Sequence, residues 1–419
     1  MKTIAAPVLS ANRVTMLDTI RGFALFGILM VNMQYFYQPM FSVMLGFQET
    51  GTELDKASTL LIKFLFEGKF YVIFSSLFGY GFAIFLSKPL TAGLSILPVL
   101  QRRLGVLLLF GILHLVLIWT GDILIFYSIF GFILLLFIKV SNKGLVKWAI
   151  WLVSIPIALN ALLLFFVWMG SQVPEAASAI EAGFAEAAAN VRTMAENATR
   201  VYTYGSFGEM VLMRLSEYQF LAPGVLFFYP VVLAMFMLGL LAGRLRLIEN
   251  FAEHLPFFRK ALWIGLAVGL PFSLIYGYSY LKVDPVAMDI YSVMHTAGHA
   301  LGGIFIGMFY VSALVLLASK NKLKTFSAWL SPVGQMALTN YLLHSIICTT
   351  IFYGYGFGLY GQIGAFQGVL IAIAIFMVQI PFSRFWMSRF HYGPFEWVWR
   401  TLTYGKVQPF RKISQQELS

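Results

Sequence analysis

Residues 104–138 read LGVLLLFGILHLVLIWTGDILIFYSIFGFILLLFI, and the reading of this stretch decides the fold. It holds one apolar run, 104–120, and all but the last residue of a second, 123–139, with only Gly121 and Asp122 between them. A bilayer core of about 30 Å needs about 20 mainly apolar residues per helix, and each run comes close to that. Working outward, comparable runs lie at about 16–36, 64–86, 148–169, 220–243, 261–281, 291–318, 331–352 and 365–386. The sequence therefore predicts an all-α, polytopic integral membrane bundle of about ten transmembrane helices. Composition points the same way: hydrophobic residues make up 59% of the chain and charged residues 11%, where soluble domains carry about 25% charged. A soluble bundle would need polar outer faces, which these segments lack.

The net charge of +11 does not signal nucleic acid, because the basic residues are sorted by loop. With these spans, Arg102, Arg103, Lys143, Lys147, Arg244, Arg246, Arg411 and Lys412 share one side with most other Lys and Arg. By the positive-inside rule that side is cytoplasmic, and both termini lie there. The opposite loops carry Glu175, Glu181, Glu186 and Glu196 with fewer basic residues to match. The first apolar stretch contains Asp18 and Arg21 and has no small-residue cleavage site, so it reads as an uncleaved helix and not as a signal peptide. Cys348 is the single cysteine, which excludes an intrachain disulfide. With no internal repeat and no Gly-rich phosphate loop, residues 1–415 read as one membrane domain. Within it, 171–217 is a large outer loop whose Ala and Glu content favours helix. Residues 390–419 read as a cytoplasmic interfacial tail. Its aromatic and basic run Phe395-Glu396-Trp397-Val398-Trp399-Arg400 suits the headgroup region, and Arg411 and Lys412 suit anionic membrane lipid.

Ionisable groups inside membrane helices cost a few kcal/mol and are functional candidates by default. Asp18 and Arg21 share one face at the start of the first span. Asn32 follows about 16 Å further along the helix, where it either packs against a neighbouring helix or lines a path outward. Glu67 and Lys69 open the second span, either snorkelling to the headgroups or lining the same path. His114 lies near the middle of the third span and Asp122 just after it, about 12 Å apart on a straight helix. They touch only if the chain bends at Gly121. Arg102 and Arg103 set topology and also suit phosphate groups. His295 and His299 share a face of the eighth span, but no third ligand follows at metal-site spacing, so no metal is expected. In the ninth span Thr339, Asn340 and His344 are expected to point into the bundle.

The runs Leu17-Asp18-Thr19-Ile20-Arg21-Gly22 with Asn32, and Glu67-Gly68-Lys69-Phe70-Tyr71, resemble the YeiB family of bacterial membrane proteins. So do Arg102-Arg103 with His114 and Gly121-Asp122, Gly334-Gln335-Met336-Ala337-Leu338-Thr339-Asn340-Tyr341, and Gly393-Pro394-Phe395-Glu396-Trp397. The resemblance covers nearly the whole chain and implies a bacterial cytoplasmic-membrane protein. That family in turn looks related to the transmembrane acyltransferases, which include the acyltransferase-3 family and the heparan glucosaminide acetyltransferase. Those proteins take an acyl group from cytoplasmic acyl-CoA to an acceptor across the membrane. Their first helix carries an Arg followed by His or Asn, and Arg21 with Asn32 is similar to the Asn version. The glucosaminide enzyme has a catalytic His shortly after that Asn, whereas Met33 to Lys63 here contains none.

The leading expectation is thus acyl transfer from acyl-CoA, such as acetyl-CoA, to a glycan or small metabolite outside. Arg21, Arg102 and Arg103 would attract the phosphates of CoA. His114 would act as base with Asp122 beside it, and Asn32 or Lys69 would stabilise the oxyanion. Glu67, His295, His299 and Asn340 would meet the acceptor. The alternative is a small-solute transporter with the same polar residues as its binding site, and a third reading is a lipid-interacting scaffold. A homo-oligomer is compatible with all three.

Overall fold

A computed structural model describes residues 14–46, 51–87, 96–284 and 287–412. Among these residues sixteen α-helices follow in chain order: α1 Thr15–Tyr37, α2 Met40–Met44, α3 Glu53–Leu61, α4 Phe70–Leu86, α5 Leu97–Leu117, α6 Leu124–Leu134, α7 Asn142–Gly170 and α8 Pro174–Tyr204, then α9 Phe207–Leu221, α10 Val225–Arg244, α11 Leu255–Tyr280, α12 Ile290–Ser319, α13 Lys324–Gln335, α14 Ala337–Phe352, α15 Ala365–Arg389 and α16 Pro394–Tyr404. Among the described residues there is no strand beyond an isolated bridge between Phe390 and Arg411. The protein is an all-α bundle, as the hydropathy pattern predicts.

Seven helical segments among the described residues are long and apolar enough to cross a membrane: α1, the α3–α4 segment, α5, α7, α11, α12 and α15. The pair α9 and α10, bent by 74°, makes an eighth if counted as one span. The shorter apolar helices α6 and α14 fall where the sequence predicts spans 123–139 and 331–352. The shortfall from ten has a local cause in each case: α6 gives way at Leu135 to a 3-10 turn, Leu135–Phe137, and the ninth predicted span is broken at Met336 into α13 and α14. The predicted outer loop 171–217 holds the 31-residue helix α8 and most of α9, whose start is capped reciprocally by Ser206 and Glu209.

In a lipid environment, burying apolar side chains against each other gains little over lipid, so close packing at small residues must hold helices together. Helix α4 crosses α10 where Gly79 faces the Phe236 carbonyl and Gly239 faces the Ser76 carbonyl. Helix α1 crosses α13 in the same way, with Gly22 against the Leu330 carbonyl and Gly334 against that of Asp18. Helices α11 and α12 form a long paired hairpin. By contrast, α7 turns Trp148, Trp151, Phe165, Phe166 and Trp168 outward, the expected face toward hydrocarbon.

Two departures from the predicted spans position the functional site. The second span does not run unbroken from residue 64. After α3 the chain widens into a π-helical turn, Ile62–Phe66, and passes through Gly68 at φ 84° before α4 begins. That left-handed conformation favours glycine. The tail also does more than lie on the membrane surface. Helix α16 packs against α5 and α14, and it ends at Gly405 with φ 63°.

Candidate functional site

A cavity of about 510 Å³ runs along α1, lined at one end by Asp18 and Arg21 and at the other by Asn32 and Tyr35. At 1.5 Å per residue, Asp18 to Tyr35 spans about 25 Å, most of a bilayer core. The walls come from α1, α4, α5, α6, α13, α14 and α16, with His299 from α12. The volume lies within the range of about 300–1,000 Å³ typical of ligand pockets.

The basic end carries Arg21, Arg103, Arg400, Asp18, Glu249, Glu396, Trp399 and Tyr404. Arg21 donates to Asp18 at 2.7 Å, one turn back on α1. The Arg103 guanidinium stacks 3.7 Å from the Trp399 ring centre, and the Trp399 indole N–H donates to the Arg103 carbonyl at 2.9 Å. Arg400 lies over the Tyr392 ring. Arg102, one residue from Arg103, turns toward the Thr403 carbonyl and lies outside the cavity lining. Glu396 reaches from α16 to cap α14: its carboxylate accepts from the backbone N–H of Leu338 at 2.6 Å and of Thr339 at 3.1 Å, and from the Thr339 hydroxyl at 2.6 Å. Burial pushes the Glu396 carboxyl above its ordinary range, while these hydrogen bonds pull it the other way. The break at Met336 exposes unsatisfied N–H groups, and a carboxylate there is the expected partner.

The middle of the cavity is apolar and aromatic, with Phe70, Phe74, Phe78, Phe82, Leu107 and Leu124 among its walls. The far end is polar. Asn32 faces the cavity, and its amide has no hydrogen-bond partner among the described residues. Glu67 and His299 line the same end. Glu67 is ion-paired with Lys63 at 2.6 Å, and both are largely buried. The Gln34 amide points at the same carboxylate from 3.5 Å. His299 stacks nearly parallel to Tyr71, at 11° and 5.7 Å between ring centres. Lys69 is buried behind this wall, donating to the Lys63 carbonyl at 3.1 Å. His295 sits between Tyr276 and Tyr280, also outside the cavity lining.

His114 and Asp122 meet, because α5 ends at Leu117 and the chain turns back before α6. His114 Nδ1 lies 2.7 Å from Asp122 Oδ2, and Asp122 Oδ1 accepts from the Ile125 N–H at 2.8 Å. The other ring nitrogen, Nε2, is buried and has no partner among the described residues. The imidazole packs against Tyr341, which does line the cavity; His114 itself does not. Asn340 is buried away from the cavity, donating to the Val333 carbonyl at 3.1 Å and to Ser383 at 3.0 Å. His344 pairs with Gln379 on the same α15 face. Among the described residues no group of three or more His, Cys, Asp or Glu is placed to hold a metal.

Sequence reasoning missed Lys63, Arg400 and Glu249. Lys63 had a usable signal, four residues before Glu67 on one helical face. The other two lie on segments whose packing against α1 and α5 only the structure shows.

Fold and cavity together define a polytopic helical membrane protein with an internal, partly polar cavity. Residues 242–406 match the family described as "Protein of unknown function (DUF418)". Over 97% of its length the chain is 35% identical to the uncharacterized protein YxaH of Bacillus subtilis (strain 168), covering 98% of that protein. It is 26% identical to the uncharacterized protein YeiB of Escherichia coli (strain K12), across 94% of this chain and 97% of that one. The chain belongs to this YeiB-like DUF418 family of membrane proteins.

Proposed function

We propose that this protein transfers an acyl group from a cytoplasmic acyl-CoA to an acceptor reached from the outer side of the bacterial cytoplasmic membrane. The observation that carries the reading is one continuous cavity with arginines at one end and, at the other, an Asn32 amide that has no hydrogen-bond partner among the described residues. Arg21, Arg103 and Arg400 offer guanidinium donors, which suit phosphate groups. The apolar middle accepts an extended arm and excludes water from the thioester. Asn32 offers N–H donors toward the carbonyl oxygen as charge develops there, and one such donor contributes about 100- to 1,000-fold in rate. Arg102 points toward the Thr403 carbonyl, outside the cavity lining.

The test is thermal stabilisation of the purified protein in nanodiscs by CoA or acetyl-CoA, with ATP as the phosphate control. A ligand bound only by the folded state stabilises it by about 2.7 kcal/mol at a hundredfold excess over its Kd. Stabilisation by CoA beyond that by ATP supports the reading. No shift up to millimolar ligand overturns it in favour of small-solute transport. The observation favouring that second reading is the helix break at Gly68 beside the buried Lys63–Glu67 pair, because transporters build binding sites at broken helices.

A further inference from the structure

We infer that His299 is the general base of this acyl transfer, an inference that rests on the acyl-transfer reading above. The chain has six histidines, and all fall within the described residues. His114, beside Asp122, His344, beside Gln379, and His295, between Tyr276 and Tyr280, all lie outside the cavity lining. His254 begins α11, and His391 lies in the turn between α15 and α16. Among the described residues His299 is the histidine that lines the cavity, at the end that also holds Asn32 and Glu67.

The local backbone is built around this ring. Gly68 turns through φ 84° directly against it, and a Cβ there would lie 3.1 Å from the His299 carbonyl oxygen and 3.3 Å from ring atom Cδ2. The Gly68 turn therefore gives the imidazole its room, and it sets Glu67 into the same wall. The charged and titratable groups around His299 are Glu67, Lys63, Lys69 and His295, with the rings of Tyr71 and Tyr276 packed on it. Glu67 is the one anion of the set, and it is ion-paired with Lys63 at 2.6 Å.

The step balances without a further reactant. An acceptor hydroxyl or amine attacks the thioester carbonyl carbon, and its proton passes to a ring nitrogen of His299. The new ester or amide bond forms as the C–S bond breaks, and the imidazolium returns the proton to the departing CoA thiolate.

Two measurements on the full-length protein in nanodiscs test this. First, diethylpyrocarbonate is applied with and without saturating acetyl-CoA, and modified peptides are read by mass spectrometry. His299 becomes carbethoxylated and acetyl-CoA protects it, while His344 stays unmodified. A His299 that resists the reagent, or reacts equally with acetyl-CoA present, overturns the inference. Second, thiol release from acetyl-CoA is followed with glucosamine or water as acceptor. His299→Gln lowers release by at least about 100-fold and keeps the stabilisation by acetyl-CoA, and His344→Gln leaves both unchanged. Release lost in His114→Gln but kept in His299→Gln overturns the assignment. So does a wild type that is stabilised by acetyl-CoA yet releases no thiol. A wild type not stabilised at all overturns the acyl-transfer reading itself.

Discussion

Replacing Glu396 by alanine and by glutamine separates its capping role from its charge. The carboxylate accepts three hydrogen bonds at the start of α14, two from backbone N–H groups and one from the Thr339 hydroxyl. Alanine strips all three and leaves two buried backbone donors without an acceptor, each worth about 1–3 kcal/mol. Relief from burying a carboxyl offsets part of this, so the net loss is about 2–4 kcal/mol. Glutamine keeps a carbonyl oxygen for the two N–H groups, and the Thr339 hydroxyl can turn to accept from the amide, so its loss is about 1 kcal/mol or less. Charge then shows in the pH dependence. Burial raises the Glu396 carboxyl above its ordinary 4.5, so the folded state binds that proton more tightly than the unfolded state does. Its contribution is full below the unfolded pKa and declines as the pH rises through the raised folded value. Glutamine removes that decline. The assay is detergent-solubilised unfolding followed by tryptophan fluorescence at several pH values, wild type against both variants. Alanine as stable as wild type, or glutamine worse than alanine, would refute the capping argument.

Two further outcomes are expected besides those for CoA and His299. Lys63→Met and Glu67→Gln each leave a buried charge unpaired and destabilise by about 3–5 kcal/mol, whereas the double variant recovers most of the loss. A double-mutant cycle on unfolding midpoints checks this, and additive losses would show that the pair is not coupled. Gly334→Ala drives a methyl into the Asp18 carbonyl on α1 and lowers stability by about 1–3 kcal/mol or more. Size-exclusion chromatography and melting of the purified variant measure that, and wild-type behaviour would refute the close crossing of α1 and α13.

The fold was legible because hydropathy over about 20 residues is a local property, and the bilayer imposes it segment by segment. The site was legible only in part, because it depends on where helices stop and which face they turn inward. A straight helix puts His114 and Asp122 about 12 Å apart. Their contact exists because α5 ends at Leu117, with both the Ile118 and Trp119 N–H groups donating to the His114 carbonyl, and the chain then doubles back. Lys63 falls just before the second predicted span, yet the π-helical turn that follows α3 carries it into the wall beside Glu67. Asn340 and His344 point into the bundle, where they meet Ser383 and Gln379 of α15 and not the cavity. Polar residues in a membrane helix thus announce that a partner exists without naming it. Glu396 shows the same limit from the other side: it lies in an aromatic run that fits the headgroup region, while its hydrogen bonds go to Leu338 and Thr339, more than fifty residues away in sequence. What joins the Gly334–Tyr341 and Gly393–Trp397 motifs is therefore a single capped helix break. It sets the floor of the cavity, where Gln335, Glu396 and Arg400 line one surface with Arg21. A family motif of this kind records a contact between segments, and its chemistry becomes readable only when both halves are placed together.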